Sequence, residues 1–108
     1  MMGRLKDSIE SYLKALEINS ESSACHFNLG TAYFDLFDSA KSIHHYKLCI
    51  QQDPKNVDAF ILLAKILAKQ GDEEEALKFL EQAKDHTTED KDLLAIEEAI
   101  DNIYDDGE

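Results

Sequence analysis

Apolar side chains recur every three or four positions along almost the whole chain. In the first stretch they fall at Leu5, Ile9, Tyr12, Leu13 and Leu16, the spacing of one face of a helix. The same periodicity predicts helices at 4–19, 23–36, 39–52, 57–70, 73–86 and 89–104. Their ends carry fitting chemistry. Pro54 stops the third helix and Asn56 can cap the fourth. Gly71 can close the fourth, and Asp72 with Glu75 resembles a capping box for the fifth. Thr88, followed by Glu89 and Asp90, can start the last with acids where the helix dipole favours them.

The helices repeat. Shifting the chain by 34 residues brings Leu29 onto Leu63, Gly30 onto Ala64 and Tyr33 onto Leu67. In the helix that follows, Ser42, Ile43, Tyr46 and Cys49 meet Ala76, Leu77, Leu80 and Ala83. The reverse shift lays Ser8, Ile9, Tyr12, Ala15 and Leu16 under Ser42, Ile43, Tyr46, Cys49 and Ile50. Small residues at Gly30, Ala64, Ser42 and Ala76 let two helix backbones approach closely, and the large neighbours fill the space beside each contact.

These positions carry a resemblance to the tetratricopeptide repeat family. Its unit has an aromatic, then Leu-Gly, then Tyr in the first helix, and small, aromatic and small residues in the second, with Pro after it. Residues 23–56 supply His26, Leu29-Gly30, Tyr33, Ser42, Tyr46, Cys49 and Pro54. Residues 57–90 supply Phe60, Leu63-Ala64, Leu67, Ala76, Leu80, Ala83 and Thr88. His26 and Thr88 depart from the pattern without threatening the fold. The resemblance implies one all-α domain over residues 1–108, an alpha-alpha superhelix, or solenoid, of antiparallel helix pairs. Residues 3–22 are then the second helix of a partial repeat, 23–56 and 57–90 full repeats, 91–105 a capping helix and 106–108 a frayed tail.

In such a stack each helix packs against neighbours on both sides. The stripe of Leu5, Ile9, Tyr12, Leu13 and Leu16 is too wide for one neighbour, so part of it is expected to face the place of an absent first helix. Three explanations compete: the chain is cut from a longer array, its open end dimerises or receives a partner's helix, or the helix tilts and buries its stripe alone. Leu5, Ile9, Leu13 and Leu16 are the candidates for self-association. At the other end, Leu93, Leu94, Ile96, Ile100 and Ile103 serve packing, Ile96 and Ile103 being expected to leave some apolar surface. The rest of that helix is Asp, Glu and Asn, as suits a polar cap.

The resemblance also implies a concave groove lined by the first helices. Carried over by register, it is lined by Ala24, Phe27, Asn28, Thr31, Phe34 and Asp35, then by Asp58, Ile61, Leu62, Lys65, Ala68 and Lys69. Phe27, Phe34 and Ile61 could anchor an apolar segment, with Lys65 and Lys69 holding an acidic one; the alternative is that they pad the packing between repeats. The family's carboxylate clamp for acidic chaperone tails is not expected. Asn28 fits its central position, but Asp58 and Leu62 stand where Lys and Arg belong, and Asp58 would repel the carboxylate.

Charge narrows the partners. Of the formal net charge of −12, residues 1–71 carry none, with 8 acids and 8 bases, and residues 72–108 carry all of it, with 15 acids and 3 bases. That disfavours nucleic acid and anionic membrane. The longest apolar segment, 59–68, is interrupted by Lys65 and too short to span a bilayer. With no apolar leader at the start, an intracellular, cytoplasmic setting is expected. Cys25 and Cys49 form no CxxC pair and are read as reduced thiols.

His45 and Cys49 lie at i, i+4, a spacing that can share a metal. Cys49 however holds a small-residue packing site and His26 replaces a packing aromatic, so no metal and no cofactor are expected. No triad, phosphate loop or isolated acid pair is visible, and catalysis is not expected. The reading is a scaffold or adaptor module that binds a peptide or helix of another protein. The alternative is a structural element that forms homodimers through its N-terminal half-repeat. A third is a regulatory domain lent to an enzyme elsewhere in a longer chain.

Overall fold

A computed structural model describes residues 2–19 and 21–106, with side chains for 3–19 and 21–105. Among the described residues are six helices and no strand: α1 (Met2–Ile18), α2 (Ser23–Asp35), α3 (Ser39–Gln52), α4 (Val57–Lys69), α5 (Glu73–Asp85) and α6 (Asp90–Asp106). The periodicity located every one of them to within a residue or two. The chain forms two compact units, Met1–Asp53 and Pro54–Glu108.

In the first unit α2 packs against both α1 and α3. The α1–α2 seam buries Ile9, Leu29 and Ala32, with Leu5, Tyr12, Leu16, Tyr33 and Leu36 closing around them. Of the expected stripe only Leu13, at 41%, stays exposed. Leu5, Ile9 and Leu16, the other candidates for self-association, pack in the seam because α2 covers more of the arc than one neighbour was expected to. Ile18, outside the stripe, is 90% exposed. The α2–α3 seam rests on the small–large alternation. The Tyr46 ring fills the space beside Gly30, and the fully buried Ser42 donates from Oγ to the Gly30 carbonyl at 2.6 Å. Ser22 and Asp38 cap α2 and α3 through their side chains.

The connection from α2 to α3 and the one from α4 to α5 close in the same way. Asp38 N–H reaches back to the Tyr33 carbonyl and Phe37 N–H to that of Phe34, both at 2.9 Å. Asp72 N–H reaches Leu67 at 2.9 Å and Gly71 N–H reaches Ala68 at 3.0 Å. This pair of bonds requires a left-handed residue just past the helix end. Gly71 takes it with φ 90°, and Phe37 with φ 63°.

In the second unit α4, α5 and α6 all touch one another. Leu63, Ala64, Ala76, Leu80, Ala83 and Ile96 are wholly buried. Asn56 caps α4 by accepting from Ala59 N–H, and Asp72 caps α5 by accepting from Glu75 N–H. Three expectations about α6 and the tail after it need correction. Its start is organised by Thr87, not Thr88: Thr87 Oγ1 accepts from Glu89 N–H at 3.2 Å and donates to Asp92 at 3.0 Å. Ile96 and Ile103 leave no apolar surface, being 0% and 5% exposed, while Leu94 and Tyr104 are 58% and 63% exposed. The cause is that α6 contacts two helices, so its buried stripe centres on Ile96, Ala99 and Ile103 and turns Leu94 outward. α6 also runs on to Asp106, the first residue of the expected tail, and the rest of that tail, 107–108, lies outside the described residues.

Candidate functional site

On α2, the residues assigned to a groove divide into supports and exposed groups. Phe27 is half-buried and meets the Tyr46 ring edge-on, with centroids 5.7 Å apart. Thr31 Oγ1 bonds the Tyr46 hydroxyl at 2.7 Å and lies 3.2 Å from the Phe27 carbonyl. Burial pushes the Tyr46 phenol above its ordinary value, partly offset by that hydroxyl contact. Ala24, Asn28 and Asp35 are exposed, and Phe34 is 41% exposed. On this face Ala24, Asn28, Asp35 and the Phe34 ring are exposed, while Phe27 and Thr31 pack in part against Tyr46.

On the second unit, Lys65, Ala68 and Lys69 of α4 form one wall of a cleft of about 430 Å³. Glu73 of α5 and Ala99, Asn102 and Ile103 of α6 complete it. A smaller recess of about 160 Å³ shares Lys65, Ala99 and Asn102 with it and is also lined by Ile61, Ala95 and Glu98. Ile61, Lys65 and Lys69 were assigned to the groove from register alone, and Ala68 belonged to the same face. Asp58 is exposed in the first turn of α4, where its acid suits the helix dipole. The contribution of α6, expected only as a polar cap, was not anticipated: Ala99, Asn102 and Ile103 line the cleft and Ala95 and Glu98 the smaller recess.

The first unit also holds a ring cluster. His26, only 6% exposed, meets His45 Nδ1 to Nδ1 at 3.0 Å, one ring donating and the other accepting. His45 stacks on Tyr33 with centroids 5.5 Å apart and planes 11° apart, and on His26 at 5.2 Å. Burial first, then the nearby His26, His44 and Lys41, lower the His45 pKa from 6.5 to about 4. Cys49, the metal partner weighed for His45, is wholly buried at its packing site. Among the described residues no three His, Cys, Asp or Glu side chains converge as metal ligands do.

Three exposed side chains, Ile18, Phe37 and Tyr104, escaped the sequence reading. Phe37, at the α2–α3 turn, is 88% exposed. A signal was available: the 34-residue shift lays Phe37 on Gly71, the residue that takes the same left-handed turn position in the second unit.

Comparison with known proteins adds the family context. A family model described as tetratricopeptide repeat matches residues 37–100, and one described as TPR repeat matches residues 2–36. The chain is 33% identical over 95 residues to the BBSome complex member BBS4 of Xenopus tropicalis, covering 87% of this chain and 18% of that protein. It is also 33% identical over 64 residues to the TPR repeat-containing protein PA0015 of Pseudomonas aeruginosa, covering 59% of this chain and 61% of that one. The chain thus spans less than two thirds of the length of either relative. No helix among the described residues is long and apolar enough to cross a membrane.

Proposed function

The chain belongs to the tetratricopeptide repeat family, whose repeats are protein–protein interaction modules, and from that membership we propose that it holds a peptide or helix of another protein in the cleft beside α4. The observation that carries the reading is that Lys65 and Lys69 line the larger recess and Ile61 and Lys65 the smaller, the two sharing Lys65, Ala99 and Asn102. Ala68, Ala95 and Ala99 leave room for a guest. Ile61 covers its apolar side chains, while the ammonium groups of Lys65 and Lys69, one helical turn apart, pair with its acids. That one relative is named as a member of a complex supports a role in assembly. The family is in general a non-catalytic interaction module, and the reading assigns no chemistry to the cleft.

Acidic chaperone tails do not fit this reading, because Asp58 stands where such a tail needs a cation. The test is a random peptide library panned on the full chain. Enriched peptides should combine acidic with apolar residues, and Lys65→Glu should weaken their binding about tenfold, the size expected for loss of one well-placed charge pair. Enriched acidic peptides that bind the Lys65→Glu variant equally well would refute the cleft.

A second reading rests on α1, where Leu13 and Ile18 are exposed on a helix whose Ile9 is buried. On that reading α1 pairs with a second copy. Light scattering separates the two: a stable dimer that Leu13→Ser converts to monomer supports self-association, and a monomer at all concentrations removes it.

A further inference from the structure

The two units fill one pair of positions with different chemistry. The 34-residue shift lays His26 onto Phe60 and His45 onto Phe79. Burial follows the register: His26 and Phe60 are buried, and His45 and Phe79 are half-buried. Two phenylalanines therefore satisfy the packing of these positions, and the fold requires an ionisable ring at neither. The first unit nevertheless places one on each side of the α2–α3 seam, Nδ1 to Nδ1 at 3.0 Å, with His45 stacked on both His26 and Tyr33.

That bond limits the protons the pair can hold. One ring presents N–H at Nδ1 and the other a lone pair. A first added proton goes to the far nitrogen of the donor ring and leaves the bond in place. A second puts N–H on both facing atoms, so the acceptor is lost and two cations face each other. The surrounding charges do not relieve them. His26 across the seam, and His44 and Lys41 on its own helix, all oppose a proton on His45. Asp38 is engaged with Lys41 at 3.9 Å. Tyr12 from α1, Tyr33 from α2 and Cys49 from α3 bring hydroxyls and a thiol to these seams, not carboxylates.

We propose that the His26–His45 pair is a proton-operated latch, which holds the α2–α3 seam closed while it carries at most one added proton and opens it, in the first unit alone, when it takes a second. The closed seam refuses that proton at His45 until about pH 4, whereas an opened seam returns His45 to its ordinary value of 6.5. Acid therefore drives opening, by up to about tenfold for each pH unit below 6.5. The second unit has phenylalanines at these positions and stays closed.

Amide hydrogen exchange on the full chain between pH 7.5 and 5.5, corrected for the intrinsic rate at each pH, tests the latch. Between 6.5 and 5.5 the protection of α2 and α3 should fall, by up to about tenfold, relative to that of α4 and α5. The double variant His26→Phe, His45→Phe copies the second unit's pair, and its α2–α3 protection should not change with pH. Imidazole nitrogen shifts in the parent give a second reading that needs no variant. At pH 7.5 one ring should carry its proton on Nδ1 and the other on Nε2, and His45 should still be neutral at 5.5. Three results overturn the proposal: protection in α2 and α3 that follows α4 and α5 at every pH, acid loosening that persists in the double variant, or both rings protonated at 5.5 with the seam still protected.

Discussion

The Tyr46 ring occupies the space that a side chain on Gly30 would need: a β-carbon there would fall 2.7 Å from two of its ring carbons. Tyr46 is 2% exposed and tied through its hydroxyl to Thr31, so the ring has nowhere to retreat. Gly30→Ala should therefore destabilise the chain. Overpacking costs about 1–3 kcal/mol, against a gain of about 1 kcal/mol for replacing glycine inside a helix. A net loss of about 1 kcal/mol is expected, read as a lower urea midpoint at unchanged slope.

His45 makes stability depend on pH. The unfolded chain takes up a proton at His45 near the ordinary value of 6.5, whereas the folded chain resists until about 4. Protons thus favour the unfolded state through that window. The contribution is fully favourable above 6.5, is lost as pH falls from 6.5 towards 4, and changes no further below it. Thermal melts between pH 7.5 and 5 should show a smaller decline for His45→Gln than for the parent. Equal slopes would mean that His45 protonates as readily in the folded chain as in the unfolded one.

Gly71 tests the turn independently of space. Nothing lies within 4 Å of a β-carbon placed there, so the cost of Gly71→Ala comes from backbone conformation alone, with φ at 90°. A loss of about 1 kcal/mol is expected. In a two-state melt of a chain this size, that corresponds to a drop of about 4–8 °C.

Neighbouring positions on α1 should respond very differently to truncation. Ile9 is buried against Leu29 and Ala32, and Ile9→Ala should cost about 2–3 kcal/mol. Leu13 is 41% exposed, and Leu13→Ala should cost under about 1 kcal/mol. Denaturant titration of both variants at low protein concentration checks the contrast. A large cost at Leu13 that grows with protein concentration would instead reveal a covered face.

The 34-residue recurrence determined the helices, their pairing and the cap residues at Asn56 and Asp72, because each depends on local spacing and on side chains a few positions apart. The family resemblance grouped Ile61, Lys65 and Lys69, and their spacing of four residues keeps them on one side of α4. Tertiary structure decided the rest. Whether Phe27 and Thr31 are surface or support depends on Tyr46, 19 and 15 residues away in the chain. That α6 rests on two helices moved its buried stripe to Ile96 and Ile103, and no pattern within α6 specifies how many neighbours it has. The character of His26 and His45 as a coupled pair, and of Phe37 as an outward-facing ring on a strained turn, arises from contacts across a hairpin and from a dihedral angle. Periodicity records which side of a helix a residue is on, not what stands opposite it.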